Sequence, residues 1–146
     1  MTEKIFEGIS SKTIERSTKL EETIDWSAKT ILIAEDEDVN FLYLQSALQK
    51  TKVNILRAHN GEEALEMARI YPNIDLILMD IKMPKMNGIE ATRAVKSFRK
   101  DVIVVAQTAF AMEEDKQNCF SVGVDDFLAK PVRYKLLYDT LAKYLA

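Results

Sequence analysis

Five side chains that end or follow apolar runs in this sequence are suited to handling a phosphoryl group. Asp80 closes the run Ile74-Asp75-Leu76-Ile77-Leu78-Met79-Asp80 and is followed at once by Ile81-Lys82-Met83-Pro84. The acid pair Glu35-Asp36 follows Thr30-Ile31-Leu32-Ile33-Ala34. Thr108 ends Val102-Ile103-Val104-Val105-Ala106-Gln107, and Lys130 ends Val124-Asp125-Asp126-Phe127-Leu128-Ala129, just before Pro131. Each run reads as a strand, and in an open parallel sheet the ligand site lies outside the C-terminal strand ends. Three carboxylates, a hydroxyl and an ammonium converging there suit a divalent metal plus a phosphoryl group.

Magnesium takes oxygen ligands and usually keeps several waters. Asp36 and Asp80 are candidate carboxylate ligands, with Glu35 acting directly or through water. The backbone carbonyl of Lys82 completes the protein's share. Three acids packed together are strained unless a cation neutralises them. Asp80 is then a candidate nucleophile toward phosphorus. Phosphoryl transfer demands alignment and neutralisation of charge on the equatorial oxygens. The metal, Lys130 and the Thr108 hydroxyl can each take one such oxygen.

The elements that must position these groups are legible from Lys29 onward. Strands are expected at 30–34, 53–58, 74–80, 102–108 and 124–129. Helices are expected at about 38–49, 60–70, 88–98, 111–121 and 132–145. Phe41, Leu44 and Leu48 fall at helical spacing, as do Leu137, Leu141 and Leu145. Asn60 with Glu63 three residues on reads as a helix N-cap. Strands that are continuous apolar runs are buried on both faces. Strict alternation of strand and helix gives an α/β fold with a doubly wound, five-stranded parallel sheet.

The 146 residues suffice for one domain with a real core. Residues 1–28 differ in composition and are assigned to an N-terminal extension or linker. A short helix around Ile5, Phe6 and Ile9 and a mobile tail are both open for it. The domain proper is assigned to 29–146. Net charge is -3, without a basic cluster, so no nucleic-acid partner is expected. Single Cys119 excludes an intramolecular disulfide and fits a reducing compartment. No signal peptide and no spanning segment is recognised, which makes the cytoplasm the expected location and no membrane partner the expectation.

The motifs together resemble the receiver domain of two-component response regulators. The resemblance rests on Ile31-Leu32-Ile33-Ala34-Glu35-Asp36-Glu37-Asp38, Leu78-Met79-Asp80-Ile81-Lys82-Met83-Pro84 with Asn87-Gly88, Thr108-Ala109, and Phe127-Leu128-Ala129-Lys130-Pro131. It covers residues 29–146. The wording around Asp80 and Gln107-Thr108-Ala109-Phe110-Ala111-Met112 is similar to receivers attached to hybrid sensor kinases. The resemblance implies a flavodoxin-like (βα)5 fold. It implies that Asp80 accepts phosphate from a phosphohistidine on a sensor histidine kinase or a histidine phosphotransfer protein. Glu35, Asp36 and Asp80 would hold Mg2+, and Lys130 would pair with the phosphoryl oxygen. Thr108 and Phe127 would form a switch, and the Lys130-Pro131 peptide would be cis. The aromatic switch position is often Tyr or His in this family, and Phe127 lacks their polar tip.

Other readings of these residues compete. A phosphohydrolase with an aspartyl nucleophile generally wants a second acid two residues on, where this chain has Lys82. A degenerate receiver kept for binding alone would not need the full set of five. Thr108 reads also as a helix N-cap, and Phe127 as plain core. His59 reads as a turn residue, Cys119 as an inert helix residue, and Met67, Met79, Met83 and Met86 as core and loop packing. Lys82 and Phe110 flank the approach of water to Asp80 and are expected to slow loss of phosphate. The face 111–146 is the expected signalling surface and a possible homodimer contact. No output domain is expected after residue 146, in a chain either free-standing or cut from a hybrid kinase.

Overall fold

The computed structural model describes residues 24–109 and 113–146. Five strands form one sheet: β1 (Thr30–Ala34), β2 (Asn54–Ala58), β3 (Leu76–Asp80), β4 (Ile103–Thr108) and β5 (Asp126–Ala129). Their order is β2-β1-β3-β4-β5 and every pairing is parallel. Five helices alternate with them: α1 (Asp38–Leu48), α2 (Gly61–Ile70), α3 (Gly88–Phe98), α4 (Glu113–Ser121) and α5 (Tyr134–Leu145). This is the expected flavodoxin-like (βα)5 architecture. The first turn expected for α4, at 111–112, and the possible helix at Ile5, Phe6 and Ile9 fall outside the described residues.

The apolar runs are longer than the ladders they feed. Ile74, Val102 and Val124 lie just before their strands, yet all three are buried. The two acids that follow or interrupt these runs are used by the backbone. The Asp75 carboxylate accepts from the Thr30 N–H, and that of Asp125 accepts from the Val104 N–H and the Lys96 ammonium. Burial on both faces holds for β1, β3 and nearly all of β4. It fails for β2, whose Asn54 is exposed and whose Ile55, Leu56 and Arg57 are half-buried, and for β5. Both are edge strands with a neighbour on one side only.

The sheet divides the interior into two cores. Ile31, Ile33, Leu76, Leu78, Val105 and Leu128 pack against α1 and α5. Leu32, Ile77, Met79, Val104 and Ala106 pack against α2, α3 and α4. Period-two alternation of side chains along each strand produces the division. The starts of α2 and α3 are set by asparagine. The Asn60 side chain accepts from the Glu63 N–H, and Asn87 with Glu90 forms a reciprocal capping box. Gly88 opens α3 against the end of β3: its N–H donates to the Ile81 carbonyl at 2.9 Å. A Cβ there would collide with the Asp80 carbonyl oxygen, so α3 can start this close to the acid only with glycine.

Trp26, assigned from sequence to the extension, is 5% exposed and part of the first core. Its N–H donates to the Thr51 carbonyl at 2.7 Å, and its ring centroid lies 6.1 Å from that of Tyr138. Ile24 packs on the same cluster. If this packing makes Trp26 part of the same cooperative unit, Trp26→Ala should lower unfolding free energy by about 3 kcal/mol. Urea denaturation checks this; a loss below about 0.5 kcal/mol, the range of surface substitutions, would detach the segment from the unit.

Candidate functional site

Parallel strands bring their C-terminal ends to one edge, and Glu35, Asp36, Asp80 and Lys130 meet there. Glu35, one residue past β1, is fully buried, and Asp80, the last residue of β3, is 4% exposed. The Lys130 ammonium, one residue past β5, lies 2.8 Å from Asp80 Oδ2 and 3.1 Å from Glu35 Oε1. Asp36 is exposed, but carboxylate oxygens of Glu35, Asp36 and Asp80 all lie within 4.8 Å of one another. Backbone donors fix the acids: Glu37 N–H reaches Glu35 Oε2 at 3.3 Å and Lys82 N–H reaches Asp80 Oδ1 at 3.2 Å.

The electrostatics follow from burial and crowding. The Glu35 carboxyl is pushed up to about 7, first by burial and then by the charge of Asp80. Burial alone would lower the Lys130 ammonium, but its contacts with Asp80 and Glu35 outweigh that and hold it above its ordinary value. Three carboxylates against one ammonium leave two negative charges in the ionised cluster. A hard divalent cation that takes oxygen ligands matches both the donor type and that charge.

Thr108 ends β4, is buried, and pairs in register with Ala129. Its carbonyl accepts from the Lys130 N–H at 2.7 Å, which places the lysine beside it. Phe127 lies on β5 opposite Ala106 and packs against the second core. Its ring centroid is 6.3 Å from that of Phe120 on α4, with the Lys116 ammonium 5.9 Å away. Lys82 is exposed two residues past Asp80. Phe110 lies outside the described residues. The Lys130-Pro131 peptide is cis, as the resemblance implied.

The residues set aside behave accordingly. His59 is exposed and pairs with Glu63 at 3.0 Å. Cys119 is buried, and burial followed by the Asp115 charge raises its thiol. Met79 is core, while Met67, Met83 and Met86 pack around the second core.

Two neighbours of the site were not singled out from sequence. Gln107 is 1% exposed, and its Nε2 has no hydrogen-bond partner among the described residues. It lines a cleft of about 390 Å³ with Glu35, Lys130, Tyr43, Pro131 and Val132 among its walls. A polar residue directly after the apolar run Val102-Ile103-Val104-Val105-Ala106 was its signal. Arg57 on β2 donates to the Glu35 carbonyl and pairs with Asp38. Its part in the site depends on β2 lying beside β1.

Comparison with known proteins agrees with this geometry. The family model for the response regulator receiver domain matches residues 31–142. The chain is 36% identical over 119 residues to hybrid signal transduction histidine kinase I of Dictyostelium discoideum, covering 76% of this chain but 7% of that protein. It is 33% identical over 119 residues to the polar-differentiation response regulator DivK of Brucella anthropi, covering 80% of this chain and 96% of DivK. Of a Thermotoga maritima cyclic di-GMP phosphodiesterase, 35% identical over 108 residues and matched over 74% of this chain, it spans 28%. Among solved structures, the receiver domain of Saccharomyces cerevisiae Ssk1, crystallised with the histidine phosphotransfer protein Ypd1, matches with a TM-score of 0.76 and 32% identity, over 80% of this chain and 88% of that one. The receiver domain of Pseudomonas aeruginosa sensor histidine kinase PA1611, with a magnesium ion in its active-site cleft, matches with a TM-score of 0.74 and 30% identity, over 81% and 98%. Sheet order, the acids at the strand ends and the family match over most of the chain coincide: this protein belongs to the response regulator receiver domain family.

Proposed function

We propose that this receiver domain takes a phosphoryl group from a phosphohistidine onto Asp80 and thereby switches a protein-interaction surface. One observation carries the reading: a nearly buried carboxylate at a strand end, held by Lys130 at 2.8 Å and flanked by two more acids. The donor is a sensor histidine kinase or a histidine phosphotransfer protein. The Ssk1 receiver crystallised with a histidine phosphotransfer protein supports that kind of partner. Likeness to both DivK and a hybrid kinase supports two settings, a free-standing regulator and a receiver within a longer kinase.

In the reaction an Asp80 oxygen attacks phosphorus as the phosphorus–nitrogen bond of phosphohistidine breaks, and the imidazole nitrogen keeps the electron pair. Lys130 pairs with Asp80 beforehand and then with a phosphoryl oxygen. The Thr108 hydroxyl takes another such oxygen. Glu35, Asp36 and Asp80, with the Lys82 carbonyl, would hold Mg2+, which when bound neutralises charge on the carboxylates and phosphoryl oxygens. The chain is a signalling module whose only chemistry is its own phosphorylation and dephosphorylation.

Placement supports a switch at Thr108 and Phe127. Thr108 and Phe127 occupy neighbouring strands, and Phe127 contacts α4 through Phe120. Movement of Thr108 toward the phosphoryl group vacates space for Phe127 to turn inward, driven by packing alone. The surface altered is the 111–146 face, the candidate for docking or dimerisation, and the response is a population shift.

Asp80→Asn should fold and lose phosphate uptake. Intact mass after incubation with acetyl phosphate and Mg2+ tests this; full phosphorylation of the variant would refute the acceptor. Mg2+ should raise the melting temperature, by about 2.7 kcal/mol of stability at a hundred times its dissociation constant. Asp36→Ala should remove the increase, and an unchanged increase would place the cation elsewhere. Neither Lys82 nor Phe110 offers a carboxylate or amide to orient an attacking water. The aspartyl phosphate should therefore be long-lived, and Lys82→Asn with Phe110→Glu should shorten its half-life by about tenfold, or about 1.4 kcal/mol of barrier. A parent that loses phosphate within seconds, or a double variant no faster, would contradict this.

A further inference from the structure

The loop between β1 and α1 carries two of the three acids, Glu35 and Asp36, and α1 holds only its last residue, Glu37, through Asn40 Nδ2 at 3.3 Å and the Phe41 N–H at 3.0 Å. Glu37 occupies the N-cap position of α1 without a capping side-chain hydrogen bond. Ahead of it the Glu35 N–H donates to the Ala58 carbonyl at 3.0 Å, and across the Glu35–Asp38 stretch the loop is held from outside by Arg57. The pairing of β2 with β1 sets Arg57 opposite Ile33, two residues before Glu35. From there Arg57 Nε and one terminal nitrogen both donate to the Glu35 carbonyl, at 3.3 and 3.1 Å. The other terminal nitrogen lies 2.8 Å from Asp38 Oδ1. The guanidinium sits over the Phe41 ring, 4.5 Å from its centroid, and the Arg57 side chain is only 18% exposed.

These contacts bracket Asp36. The peptide carbonyl before it and the carboxylate two residues after it are tied to one rigid, planar group. Stacking on Phe41 restricts where that group can go. The fork geometry of guanidinium makes such a two-armed hold possible, and a lysine ammonium does not reproduce it. From this we infer that Arg57 is a positioning residue for divalent-cation binding: it aims the Glu35–Asp38 loop so that Glu35 and Asp36 face the ion. The inference rests on the proposed function, in which these acids hold Mg2+.

Charge and geometry predict opposite signs here, which makes the role testable. Arg57 is a cation beside a cation site. On Coulombic grounds alone its removal leaves the site more negative and tightens Mg2+ binding. As a positioning group its removal loosens the acids and weakens binding, by about tenfold on the scale of outer-shell partners of metal ligands.

The experiment is calorimetric titration of the metal-stripped protein with MgCl2, without phosphodonor, for the parent, Arg57→Gln and Arg57→Lys, alongside melting temperatures in EDTA. Both variants should bind Mg2+ about tenfold more weakly than the parent. Arg57→Lys is the decisive member, because it keeps the charge and the apolar stem and loses only the fork. Unchanged or tighter binding in both would overturn the inference. So would a fall in melting temperature with Mg2+ affinity intact, which assigns Arg57 to packing alone, and so would a lysine variant that does not fold. A parent that takes up no Mg2+ would overturn the metal reading as well, whereas a parent that binds, with variants that match it, overturns only the role of Arg57.

Discussion

Like charge forced together where water is scarce is the condition on which the strand-end edge depends. Glu35 is fully buried and Asp80 nearly so, and one ammonium faces them both. Such a cluster persists only if the surrounding structure over-determines it, because each buried carboxylate would otherwise relax toward solvent or take up a proton. The protein meets that demand with stiffness. Three central strands are buried almost throughout and fix where the acids emerge. Backbone N–H groups of Glu37 and Lys82 take one oxygen each, and α3 begins hard against the Asp80 carbonyl through Gly88. Behind the loop, Arg57 grips the Glu35 carbonyl.

Much of this was legible in the sequence, and the exceptions have physical causes. Asp80, Lys130 and Thr108 announced themselves because a polar residue ending a long apolar run has few other reasons to be there. The Asn60 cap was readable because capping is local, needing only a residue and its third neighbour. The partial exposure of β2 and β5 was not, since being an edge depends on which strands sit outermost, and that order is a property of the whole sheet. Trp26 reads as part of the extension because its partners, Thr51 and Tyr138, are remote in sequence and its immediate neighbours, Asp25 and Ser27, are polar. Arg57 and Gln107 escaped for the same reason: each matters only through a neighbouring strand.

The four asparagine and glycine positions that start α2 and α3 do more than begin helices. Gly61 N–H donates to the Met86 carbonyl, and Gly88 N–H to that of Ile81, so the loop after Asp80 is tied to both helix starts. A Cβ at Gly61 would collide with the Met86 carbonyl, just as one at Gly88 would with that of Asp80. The loop that carries Lys82 is therefore a fixed part of the frame, although Lys82 itself is exposed.

The sheet is also a wall between two rooms. Along β3 and β4, Asp80 continues the series of Leu76 and Leu78, and Gln107 that of Val105, all on the α1–α5 side. Thr108 continues Val104 and Ala106, and Phe127 packs with them, on the α2–α4 side. The acid and the hydroxyl thus belong to different compartments that meet at the rim where the strands stop. In the proposed switch, a group seated on Asp80 at that rim would turn a chemical event in one room into a mechanical one in the other, with no strand having to move.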